Sequence, residues 1–224
     1  MARPRPGMTC FLSALVLCAS CAALAYEIPL QPNSIRDAYF LGQDNDRAKS
    51  VFASYTKSLP VPKTGPSVSE VRLYTPYAQV VEASQKNNLD YSAQDAAQAY
   101  STRGDKIVVY VRIDFTPSYG FLNALASAGE AAGKPNGDVP AEDFWRSFQF
   151  QLSQGASQAN VFTQTEASAT PFYVPGSGPL GTLAGTVVRL VYDATSVASV
   201  PAQFEVIPPV GPTATANFDL STLR

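Results

Sequence analysis

From Lys106 to Ser118 the chain alternates almost without a break. Ile107, Val109, Val111, Ile113 and Phe115 fall on one side, and Val108, Tyr110, Arg112, Asp114 and Thr116 on the other. Side chains alternate across a strand with period two, so the stretch predicts a strand with one wholly apolar face. It is the longest clean alternation in the sequence. Helical patterns precede it and strand patterns follow it, which predicts the central strand of the core.

The earlier spacing is mostly helical. Ile35, Ala38 and Tyr39 form a stripe in a first helix, with Asn33 or Ser34 as its cap and Gly42 as its stop. Asp44 to Asp46 opens a second helix that is expected to run to Leu59, with Val51, Phe52, Tyr55 and Leu59 on one face. Val68 to Thr75 alternates weakly and reads as a strand. Thr75 then caps a third helix whose first position is Pro76. Ser92 and Asp95 form a capping box for a fourth helix, ending near Tyr100.

Residues 119–140 are rich in Ala, Gly and Pro and read as a long connection, a candidate boundary or functional flap. From Asp143 onward the pattern is all β. Phe144, Phe148, Phe150 and Leu152 share a face, and Asn160 to Thr165 forms a short strand. Thr186, Val188, Leu190 and Tyr192 share another face, as do Phe204 and Val206, then Ala214, Ala216, Phe218 and Leu220. The whole predicts an α+β fold: an antiparallel β-sandwich of immunoglobulin-like kind, with about four helices from the first half packed on one face or end. The halves 26–118 and 141–224 are expected to pack as one domain.

The first 25 residues stand outside that pattern. Arg3 and Arg5 begin them, Phe11 to Ala19 is apolar, and Ala23-Leu24-Ala25 places small residues at a processing site. This predicts a secretory signal peptide over 1–25, cleaved between Ala25 and Tyr26, and a secreted or periplasmic protein of the cell envelope. Lipid anchoring at Cys21 is the second reading, although Cys18 stands where such a site wants Leu. Cleavage removes all three Cys and both Met, and the sequence has no His. Packing, not disulfides, must then hold the chain together. The formal charge moves from −2 to −4 as Arg3 and Arg5 leave, which argues against nucleic acid as a partner. No transmembrane segment is expected in the mature chain, because Pro171, Pro175 and Pro179 break the uncharged run from Ala167 to Val188.

Without His or mature Cys, His-based triads, thiol chemistry and zinc sites drop out, and neither metal nor cofactor is expected. Short motifs add little. Ser54-Tyr55-Thr56-Lys57 and Lys63-Thr64-Gly65 match two penicillin-recognising motifs, but they lie six residues apart with no Ser-Asp-Asn between them. Gly176 to Gly181 fits a dinucleotide fingerprint, but Pro179 interrupts it and a strand, not a helix, follows. Asp44-Asn45-Asp46 begins like a calcium loop, but Lys49 and Tyr55 stand where Gly and Glu are needed. Asp114, beside Arg112, is the one candidate catalytic acid, and a surface ion pair explains both residues equally. Tyr110, Tyr119 and Trp145 are candidate binding aromatics. The leading expectation is a non-catalytic binding protein with a protein or glycan partner. The alternative is a carboxylate-dependent hydrolase of polysaccharide or cell-wall substrates, which needs two converging acids.

The segments SIRDAYFLG, TPYAQVV and FDLSTLR resemble a group of uncharacterised secreted bacterial (acidobacterial) proteins. That group has no assigned activity, so the resemblance implies no catalytic or binding residue.

Overall fold

The computed structural model describes residues 26–62, 66–87, 90–116, 141–155, 158–175, 182–209 and 211–224. The helical half runs α1 (Pro32–Gln43), α2 (Asn45–Ser54), β1 (Thr56–Ser58), β2 (Pro66–Tyr74), α3 (Pro76–Lys86), α4 (Ala93–Arg103) and β3 (Lys106–Phe115). After a 3-10 helix (Ala141–Ser147) come β4 (Gln149–Gln154), β5 (Asn160–Phe162), β6 (Gln164–Val174) and β7 (Thr182–Asp193). A 3-10 turn (Ala194–Ser196), β8 (Pro201–Ile207) and β9 (Ala214–Asp219) complete the chain. The strands form two antiparallel sheets, in the orders β1-β2-β3-β7-β6 and β5-β4-β8-β9. The fold is thus α+β, with β3 in the middle of the larger sheet.

The two apolar faces meet between the sheets. Val71 and Leu73 of β2, Ile107 to Ile113 of β3, and Val188, Leu190 and Tyr192 of β7 share one core cluster with Leu152, Phe204, Val206 and Phe218 of the second sheet. Side chains of one parity in each strand are removed from water, which is the main favourable term in folding. The cluster draws on both halves of the chain, from Tyr26 to Leu223. Tyr26 is 8 % exposed, and its hydroxyl donates to the Ala194 carbonyl at 3.0 Å. A second cluster holds the helices together through Ile35, Ala38, Leu41, Tyr77, Val80, Val81 and Tyr100.

The helical layer is fastened at one end of the sheet. Gln79 of α3 donates its amide to the Lys106 carbonyl at 2.6 Å, and Tyr100 accepts the Leu30 amide at 2.8 Å. Thr75 accepts from the Ala78 amide as the cap of α3, and Ser92 and Asp95 form the reciprocal box at α4. Both caps are as the sequence predicts, because each bond closes within three residues.

Four local expectations are corrected by tertiary contacts. Gly42 does not end α1 but lies inside it, where an added Cβ would meet the Val81 carbonyl and lie 2.7 Å from Ser84 Cβ. It is there so that α1 and α3 can touch. The second helix stops at Ser54 rather than Leu59, because Thr56 to Ser58 leave it to pair with Arg72, Val71 and Glu70. Ala141–Ser147 is a 3-10 helix rather than strand, so Phe144 and Phe148 reach the core from a turn and its flank. β6 is a full eleven-residue strand where only breaks were read, and as an edge strand it tolerates Pro171. The long connection 119–140 lies outside the described residues.

Candidate functional site

Asp114 sits on the outer face of β3 and is held by its neighbours. Arg112 Nε donates to both of its oxygens at 3.1 and 3.2 Å, and the Ser69 hydroxyl donates to Oδ2. The Arg112 guanidinium lies 4.5 Å from the Phe172 ring centre. Phe172 can lie there because Gly185 opposite it has no side chain: a Cβ would come within 2.6 Å of Phe172 Cζ. Asp114, Arg112 and Phe172 thus form a surface tie across β3, β7 and β6. Among the described residues no group of three Asp or Glu could hold a metal.

The candidate aromatics are packed rather than presented. Tyr110 is half-buried, its ring 5.5 Å from Tyr74, which in turn lies 5.3 Å from Phe52. This ladder joins the helical layer to the sheet. Trp145 is 8 % exposed, belongs to the sandwich core, and carries Arg146 over its ring at 5.0 Å. Its expected role as a binding aromatic is therefore corrected to a closing role in the core. Tyr119, Ala25, Cys21, Lys63 to Gly65 and Gly176 to Gly181 lie outside the described residues.

One cavity of about 400 Å³ lies between the helices and residues 222–224. Its polar groups are largely engaged with one another. Arg224 donates to Asp37 at 2.6 Å and stacks 4.6 Å over the Tyr77 ring, while the Tyr77 hydroxyl donates to Asp37 at 3.0 Å. Tyr55 donates to the Arg224 carbonyl at 2.8 Å and accepts the Arg224 amide at 3.0 Å. Burial pushes the Tyr55 and Tyr77 hydroxyls above their ordinary range, so both stay protonated donors at neutral pH. The arrangement fastens the last residues to α1 and α3.

The opposite end of the sandwich is different. The register places there the last residues of β1, β3, β6 and β8 and the first residues of β2, β4, β7 and β9. Between the ends of β1 and β2 and those of β8 and β9 runs a groove of about 260 Å³. Pro60, Pro62 and Pro66 form one wall, and Pro208 and Pro212 the other, with Leu59, Val68 and Ala214 between them. Among the described residues that line it, none is charged. Proline has a fixed φ and no N–H, so these walls are rigid and make few polar demands. Val61, between two of the prolines, is 68 % exposed, and Tyr173 and Val174, at the same end, are 39 % and 48 % exposed.

No family model matches the chain, and no curated protein or solved structure matches it either.

Proposed function

We propose that the protein is a non-catalytic binding protein of the cell envelope or the secreted fraction, and that it captures an apolar segment of a protein partner at the loop end of its sandwich. The observation that carries this reading is the proline-walled groove beside exposed Val61, with no charged residue among the described residues that line it. At about 260 Å³ the groove falls below the ~300–1,000 Å³ of small-molecule sites. It suits an anchor side chain of a partner, the kind of contact that dominates protein interfaces. Walls already fixed by proline lose little freedom on binding, which favours affinity from a small contact. Loops at one end of a sandwich are also where such folds carry their binding residues.

Two measurements test the reading. Peptides selected from a random displayed library are expected to converge on an apolar anchor. Ala214→Phe, which fills the groove, is expected to abolish their binding without a large loss of melting temperature. No convergence, or peptides that bind Ala214→Phe equally well, would rule the site out. The compartment is tested separately: the exported chain is expected to begin at Tyr26 by mass, and an acylated Cys21 at its start would replace this reading with a lipid anchor.

A further inference from the structure

A second concavity, of about 390 Å³, lies at the other end of the smaller sheet, beside the turn from β4 to β5. Its volume is within the ~300–1,000 Å³ range of small-molecule sites. Ser153, Gln203 and Asn217 stand opposite one another on β4, β8 and β9 and form a polar row along it. Gln158 reaches it from the turn.

The amides here have a fixed sense. A carboxylate only accepts hydrogen bonds at neutral pH, so Gln203 must turn its NH₂ toward Glu205, at 3.1 Å. Its carbonyl then faces Gln158, whose NH₂ donates to it at 2.6 Å. One Glu therefore sets the orientation of two amides in series, each polarising the next. Among the described residues, the Gln158 carbonyl and the second N–H of each amide have no further partner. Asn217 is exposed and makes no side-chain hydrogen bond among the described residues. Asp219 holds Ser221 with Oδ1, which leaves Oδ2 open. Gln158 itself has φ 56°, a left-handed conformation that a non-glycine residue adopts at a cost. Sparsely populated backbone of this kind collects at ligand sites.

The remainder of the wall is apolar or charged. Pro201 is exposed beside it, Ala202 and Phe218 border it from the core at 4 % and 2 % exposure, and Lys57 lies 5.8 Å from the Phe218 ring centre. Among the described residues that line it, Lys57 is the cation and Asp219 the anion. The cavity thus offers donors and acceptors in alternation, with Lys57, Asp219 and, behind Gln203, Glu205 as its charged groups among the described residues, and Pro201 as its exposed apolar edge.

We propose that this cleft binds a neutral saccharide. A sugar hydroxyl both donates and accepts, so adjacent hydroxyls match amides that present C=O and N–H side by side. Its C–H face rests against exposed Pro201, and the orientation set by Glu205 means that little reorganisation accompanies binding. Gln158, Gln203 and Asn217 take the hydroxyls, and Asp219 accepts from one more. The site is separate from the proline groove in residues and in position, so each proposal stands or falls alone.

The test is titration calorimetry of the full chain with neutral trisaccharides of glucose, xylose and N-acetylglucosamine, and with trigalacturonate as a charged comparison. Saturable binding of at least one neutral sugar is expected. Asn217→Ala is expected to weaken it about tenfold, the scale of one or two lost hydrogen bonds. Glu205→Gln, which frees the amides to flip, is expected to weaken it several-fold. Gln158→Gly separates function from folding. Glycine fits φ 56° better, so the melting temperature is expected to stay level or rise while binding is lost. Ala214→Phe is expected to leave sugar binding unchanged. No saturable binding of any neutral sugar, binding of trigalacturonate alone, or full binding by Gln158→Gly would each overturn the proposal.

Discussion

Val111→Asp is expected to leave little folded protein, while Asn217→Asp melts within a few degrees of the parent. Val111 is at the middle of the central strand, opposite Val71 and Val188, and all three are at most 1 % exposed. A carboxylate there has no partner and no water. It either stays charged at a prohibitive desolvation cost or takes up a proton and leaves an unpaired acid, which still costs several kcal/mol. A typical domain has only about 5–15 kcal/mol in total. Asn217 is exposed on the outer face of β9, where a carboxylate remains hydrated. Thermal unfolding followed by circular dichroism measures both. Equal melting temperatures would mean that the inner and outer faces of the sheets are assigned the wrong way round.

A second large effect is expected above pH 10. Burial raises the hydroxyls of Tyr26, Tyr55, Tyr74, Tyr77 and Tyr192, and that of Tyr100 to about 12. The sign follows from proton counting. Above the ordinary tyrosine range, near pH ~10, the unfolded chain releases protons that the folded chain keeps, so stability falls as pH rises. Each tenfold difference in proton affinity is worth about 1.4 kcal/mol, so a few such tyrosines suffice to unfold a typical domain. With no His in the sequence, the melting temperature is expected to be nearly flat from pH 6 to 8. It is then expected to drop steeply beyond ~10, with the tyrosinate absorbance of these buried hydroxyls appearing together with unfolding. Tyr192→Phe offers a sharp check. The Tyr192 hydroxyl is buried with no hydrogen-bond partner among the described residues, so its removal is expected to cost nothing at neutral pH and to move the alkaline midpoint upward. Gradual tyrosine titration from pH ~10 without unfolding would contradict the burial of these hydroxyls.

Both effects trace to features with very different visibility in the sequence. The central strand was legible because its inner face is buried along its length, and burial of one face is what writes a period of two into a sequence. The caps at Thr75 and Ser92 were legible because their bonds close within three residues. β6 was not. Most of its residues are exposed on both faces at the edge of the sheet, so no alternation is imposed on it and its Pro171 reads as a break. β1 was hidden inside a helical pattern because its partners, Glu70 to Arg72, lie beyond a turn. Gly42 offered a local role as a helix stop, and only the approach of α3 showed that its missing side chain was the point. Trp145 and Tyr110 were visible as aromatics, but whether an aromatic faces water or a core depends on which element covers it.

The candidate sites divide along the same line. Sequence alone determined a sandwich with a helical layer and, as expectations, a secretory leader and a mature chain limited to carboxylate, lysine, serine and tyrosine chemistry. The prolines at 60, 62, 66, 208 and 212 are visible in the sequence, but nothing there brings the two groups together. Their convergence into a groove was decided by the closure of two sheets, as was the line from Glu205 through Gln203 to Gln158. Local patterns record which side of an element loses water, because that selection acts on neighbours in the chain. Which side chains then meet across the sheets is set by pairings some fifty to 150 residues apart, and no periodicity carries that information.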